Sequence, residues 1–128
     1  MKEEISDQKA TSGCFPSLSH ASTYEHLYHT NPTATDTDPC PQPTGNQEGD
    51  AVVAAWQKYN AFSETYCAAG NRSCTNPKTC KPSVSGHTSR TGPVRRQFTP
   101  TPGTAPPTGK LECYLTIETT AKIACACS

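Results

Sequence analysis

Large aliphatic side chains are scarce in this chain. Leu, Ile, Val and Phe together number 14 of 128 residues, well under the roughly 20% that normally accompanies a packed core. At about 1–2 kcal/mol of ordering entropy per residue, so few side chains cannot hold the whole chain by burial alone. Excess charge is lacking too. The 11 Lys+Arg balance 11 Asp+Glu, which excludes the one-signed field of a nucleic-acid arm or an acidic tail. No apolar run is longer than the six residues Ala51–Trp56, too short for a helical membrane span.

Chemical signatures are equally sparse. The chain holds no G-x-S-x-G, no glycine-rich phosphate loop, no C-x-x-C redox pair and no H-E-x-x-H metal motif. No catalytic, cofactor-binding or metal-ligating residue is therefore nominated. His26 and His29 are spaced i, i+3 and would share a helix face as a metal pair, but a solvated face is the simpler reading. Arg90, Arg95 and Arg96 form the one basic cluster, read as a solubilising strand edge rather than an anion site.

What the chain does have is Thr, Pro and Ser, 42 residues in all, and eight cysteines. Cys14, Cys40, Cys67, Cys74, Cys80, Cys113, Cys125 and Cys127 span the sequence and read as a disulfide framework of up to four bridges, with 105 connectivities open. Each bridge closing a loop of tens of residues stabilises by about 3–4 kcal/mol. The alternative is zinc. Its sites want thiolates in tight pairs, whereas the closest run here is Cys67-x6-Cys74-x5-Cys80, so zinc enters only if the cysteines are reduced. Disulfides imply an oxidising compartment. The segment Met1–Gln8 has no apolar signal core, and the expectation is an extracellular, periplasmic or cell-surface chain whose signal has been removed.

Two periodic segments stand out. From about Asp50 to Ala69, Val52, Ala55, Trp56, Tyr59, Phe62, Tyr66 and Cys67 recur on one helical stripe, with Gly70-Asn71 as a left-handed C-terminal signal. From Leu111 to Cys127 the odd positions are mostly apolar and the even ones mostly polar, the period of β structure with one buried face. A hairpin turning at Glu118–Thr120 is favoured, because a single strand of 17 residues is far longer than usual. A short helix over Ser22–Tyr28 and a short strand over Val94–Phe98 complete the elements.

The expected fold is a small, disulfide-rich α+β protein: one amphipathic helix plus a C-terminal β-hairpin or long strand, with extended Pro/Thr-rich segments. Residues 1–49 form an extended polar segment, and residues 50–128 a helix-plus-β domain with a Pro-rich connector at about 99–109. The function expected is non-catalytic binding or assembly outside the cytoplasm, through a protein partner or self-assembly. An alternating strand able to complete a partner's sheet supports this. A small secreted, toxin-like effector enzyme and a Cys/His metal-binding protein are the alternatives. Neither a nucleic acid nor a membrane span is expected.

Overall fold

The computed structural model describes residues 13–128 and, further upstream, the backbone of Glu4–Ile5. Among the described residues five strands form one antiparallel sheet: β1 (Glu4–Ile5), β2 (Phe15–Thr35), β3 (Cys80–Arg90), β4 (Arg95–Pro100) and β5 (Thr108–Cys127). One helix, α1 (Gly45–Ala68), lies on a single face of that sheet. A disulfide-rich α+β architecture is thus what the chain adopts.

The organising element is β5. Its residues Leu111, Cys113, Leu115, Ile117, Thr119, Ala121, Ile123 and Cys125 are all buried, and every residue between them is half-buried or exposed. The alternation is that of β structure, but no hairpin turns at Glu118–Thr120: β5 is one strand of 20 residues. The reason is lateral. β2 pairs with it along one edge from Phe15↔Cys125 to Thr35↔Thr108, while β3 and β4 share the other edge end to end. Ladder bonds on both sides support a length that an isolated strand would not hold, and no Gly or Asn is present to make the turn.

The segment Ser22–Tyr28 is strand, not helix. Over Leu18, His20, Ser22, Tyr24 and His26, β2 faces Ile123, Ala121, Thr119, Ile117 and Leu115 of β5 in register. Register shifts at Phe15/Leu18, Leu27/His29 and Asn31/Ala34 break its regularity. The strand expected at Val94–Phe98 is observed at Arg95–Pro100.

Helix α1 begins five residues earlier than its hydrophobic stripe suggests, at a capping box. Thr44 Oγ1 accepts from the Gln47 amide at 3.1 Å, and Gln47 Oε1 accepts from the Thr44 amide at 2.9 Å. Its buried ridge is Ala51, Ala55, Tyr59, Ser63 and Cys67, one residue in every four. Alanine at the first two positions lets the helix approach the Leu111–Ile117 half of β5, and Tyr59 fills the wider gap near Leu18 and Ile123. Gly70 is not left-handed (φ −97°). It is required for room instead: a Cβ there would sit 2.2 Å from the Cys14 carbonyl oxygen and 3.0 Å from Cys80 Sγ.

Four disulfides close the structure: Cys14–Cys80, Cys40–Cys113, Cys67–Cys125 and Cys74–Cys127. Three of them end on β5. Cys67–Cys125 joins α1 to the sheet inside the core, and Cys40–Cys113 pins the Pro-rich segment after β2 over the other end of β5. Tyr28 assists there by donating to the Pro41 carbonyl oxygen at 2.6 Å.

Candidate functional site

The helix covers only part of the sheet, and where its flank diverges from β2 a cleft of about 180 Å³ opens. From β2 it is lined by His20, Ser22, Thr23 and Tyr24, and from α1 by Ala55, Lys58, Tyr59 and Phe62. Strand period and helix period meet here. Positions 20, 22 and 24 point from β2 toward the helix layer, while positions 55, 58, 59 and 62 share one flank of α1.

Tyr59 fixes the floor. Its ring is buried, and its hydroxyl lies 3.2 Å from both the His20 and the Ala121 carbonyl oxygens, tying the helix to two strands. Burial pushes its pKa up, so the phenol remains a neutral donor. His20 stacks on Phe62 at 4.5 Å with an interplanar angle of 21°. Phe62 continues onto Tyr66, and Tyr66 meets Phe15 edge to face at 4.9 Å. At the other end Lys58 Nζ sits 5.8 Å from the centre of the Tyr24 ring. The cleft is therefore an aromatic slot with one ammonium at its mouth.

Little of the strand edge beside the cleft is paired among the described residues. Among the described residues, β2 meets a second strand only at Leu18↔Ile5 and Ser19↔Glu4 of β1. From Ala21 to Leu27, ahead of the first central register shift, no described strand lies against its outer edge. An uncovered edge of this kind is a template for another extended chain. β5, the strand whose alternation suggested sheet completion, has neighbours on both sides and cannot serve.

The sheet face away from α1 carries a polar cluster. Arg95 Nε lies 2.9 Å from both carboxylate oxygens of Glu25, and its guanidinium stacks 4.2 Å over Tyr114. The Tyr114 hydroxyl donates to Glu112 at 3.1 Å. Hydrogen bonding to Glu25 holds the Arg95 pKa up. A second, more polar hollow of about 300 Å³ lies beyond the helix C-terminus, where Asn71, Thr79, Cys80 and Lys81 meet.

The residues singled out in the sequence fall as follows. All eight cysteines are in disulfides. The three arginines do not gather: Arg90 pairs with Glu48 at 2.8 Å, Arg95 with Glu25, and Arg96 donates to the Asp38 and Thr35 carbonyl oxygens. Arg95 and Arg96 are successive on β4, and successive residues of a strand point to opposite faces. His26 and His29 stand across a register shift on β2, not one turn apart on a helix. The one group of potential ligands that converges among the described residues is Cys14, Cys74 and Cys127. The β2–α1 cleft escapes the sequence because its walls alternate as Leu-x-His-x-Ser-x-Tyr-x-His, where polar side chains occupy the inward positions and mask the strand period. No protein-family model, curated protein or solved structure matches this chain.

Proposed function

We propose that this is a non-catalytic binding or assembly protein acting outside the reducing cytoplasm, and that it captures an extended segment of a protein partner along β2. The observation that carries the proposal is the juxtaposition of a strand edge over Ala21–Leu27 that no described strand covers with the aromatic cleft directly inside it. A strand added about 4.8 Å beyond β2 continues the sheet through its main chain. Its alternate side chains turn toward the helix layer, where the slot between Tyr24 and Phe62 lies. Main-chain hydrogen bonds then supply affinity and the slot supplies selectivity. Lys58 at the mouth favours an acidic residue or a chain-terminal carboxylate.

Four disulfides in a chain this poor in aliphatic side chains suit an oxidising compartment, and no helix among the described residues is long and apolar enough to cross a membrane. The same staples keep the edge rigid before binding, which lowers the ordering cost of association.

The test is selection of random displayed peptides on the oxidised full chain. A consensus with a two-residue period is expected. Its binding should be lost when alternate peptide amides are N-methylated and should weaken at least tenfold in Phe62→Ala. Failure to select any peptide, or binding indifferent to both changes, overturns the proposal.

A further inference from the structure

Three of the four disulfides crowd the end of the sheet where β2 and β3 begin and β5 ends. Two of them, Cys14–Cys80 and Cys74–Cys127, are in contact range. The Sγ atoms of Cys14, Cys74 and Cys127 all lie within 4.8 Å of one another, and Cys80 Sγ is bonded to that of Cys14. Two disulfides therefore meet at one place, with Cys80 joined to the three converging sulfurs through its bond to Cys14, although the sequence spacing fits no zinc knuckle. Their settings differ. Cys14 and Cys80 are buried, whereas Cys74 and Cys127 are half-buried at the protein surface.

We infer that these four cysteines form a redox-convertible zinc site, oxidised to two disulfides in the structure described above and able to hold one Zn²⁺ when reduced. Tetrahedral zinc with Zn–S bonds near 2.3 Å places its sulfurs about 3.8 Å apart, so Cys14 closes on the other two by no more than about 1 Å, while Cys74 and Cys127, bonded to each other when oxidised, move apart to that spacing. Cys80, bonded to Cys14 in the oxidised state, supplies the fourth ligand by rotating inward once that bond is broken. Thiolates are soft donors, and a set of four selects a d¹⁰ ion over hard cations.

Reduction enters from the surface. One equivalent of a phosphine is oxidised to its oxide, water supplying the oxygen and two protons, and the half-exposed Cys74–Cys127 bond becomes two thiols. Either of them, as thiolate, is placed to attack Cys14 Sγ. The Cys14–Cys80 bond breaks, Cys80 leaves as thiolate, and a mixed disulfide forms. A second equivalent of phosphine resolves it. On binding Zn²⁺ the four thiols release four protons. Cys40–Cys113 and Cys67–Cys125 are not needed for any step.

The experiment loads the full chain, treated with a water-soluble phosphine under anaerobic conditions, with Zn²⁺ or Co²⁺ and then removes excess metal by gel filtration. One ion per chain is expected, with the absorption of a tetrathiolate in the Co²⁺ form. Affinity should fall at least tenfold in Cys74→Ser/Cys127→Ser and be unchanged in Cys40→Ser/Cys113→Ser. A second readout needs no variant: bound zinc should protect Cys14, Cys74, Cys80 and Cys127 of the natural sequence from alkylation. No retained ion, equal affinity in Cys74→Ser/Cys127→Ser, or protection that falls on other cysteines overturns the inference. The peptide-binding reading is tested on the oxidised chain and stands or falls separately.

Discussion

Cys80 and Cys127 are register partners in the β3–β5 ladder, yet they do not bond to each other. Cys80 reaches Cys14 at the start of β2, and Cys127 reaches Cys74 in the loop after α1. The consequence is mechanical. A Cys80–Cys127 bridge would only reinforce a pairing that ladder hydrogen bonds already hold, whereas the observed bridges tie two further segments to the same end of the sheet. Closing separations of 66 and 53 residues constrains the unfolded chain by about 4 kcal/mol each in the loop-entropy account.

The bridges should differ in what their loss costs, although their closed loops are similar in length. Cys67 and Cys125 are 0% and 4% exposed, whereas Cys74 and Cys127 are half-buried. Replacing Cys67 and Cys125 with Ala removes the loop constraint and also leaves a gap in the core. The Cys74→Ala/Cys127→Ala double variant loses the constraint with little packing. Guanidinium denaturation should therefore place the first variant below the second by about 1–3 kcal/mol. Equal midpoints would mean that the core relaxes freely around the missing bridge.

The alternation of β5 sets a second contrast. Leu115 is fully buried beneath α1, while Leu27, on the adjacent strand opposite Tyr114, is 41% exposed on the other face. Leu115→Ala should lower unfolding stability by about 2–5 kcal/mol, and Leu27→Ala should change it by no more than about 0.5 kcal/mol. Denaturant titration of both variants checks this. A large effect at Leu27 would show that the open sheet face is covered in solution.

These two contrasts also mark what the sequence discloses. The two-residue period of β5 and the stripe of α1 are legible because both elements bury continuous rows of apolar side chains. The choice between hairpin and long strand is not legible, because it depends on β2, β3 and β4 arriving at the two edges of β5 from elsewhere in the chain. β2 itself is hidden: His20, Ser22 and His26 face the helix layer where Leu or Val would have announced a strand. The disulfide framework follows from counting, but its connectivity is set by which ends the folded sheet brings together. The convergence of Cys14, Cys74 and Cys127, with Cys80 bonded to Cys14, exists only in three dimensions.

Gly70 offers a sharper test of that crowded end. It follows the helix without a left-handed backbone, and an added Cβ would lie 2.2 Å from the Cys14 carbonyl oxygen. Gly70→Ala should therefore destabilise by about 1–3 kcal/mol through overpacking, although alanine is the better helix former. Under a conformational account alone, alanine would be neutral or stabilising. Thermal unfolding of the oxidised variant distinguishes the two.

Acid sensitivity should have a local source at Asp38. Its carboxylate accepts from the Thr35 amide at 3.0 Å and from Thr35 Oγ1 at 2.8 Å, and these bonds, with a smaller contribution from Arg96, hold its pKa below the ordinary aspartate value. A carboxyl group whose folded pKa is depressed contributes stability that is present above its unfolded pKa and is lost as pH falls through the folded value. The window therefore lies at and below the ordinary aspartate range, and neutral conditions should be insensitive. Asp38→Asn keeps the shape but removes the titration, so the fall in unfolding midpoint below about pH 4 should become shallower than in the natural sequence. The loop concerned leads directly to Cys40 and its bridge to Cys113. The same variant should thus speed amide exchange in the 36–40 segment at neutral pH, where loss of the charged hydrogen bonds is felt without any change of protonation. An acid profile identical to that of the natural sequence would show that other carboxylates govern the transition.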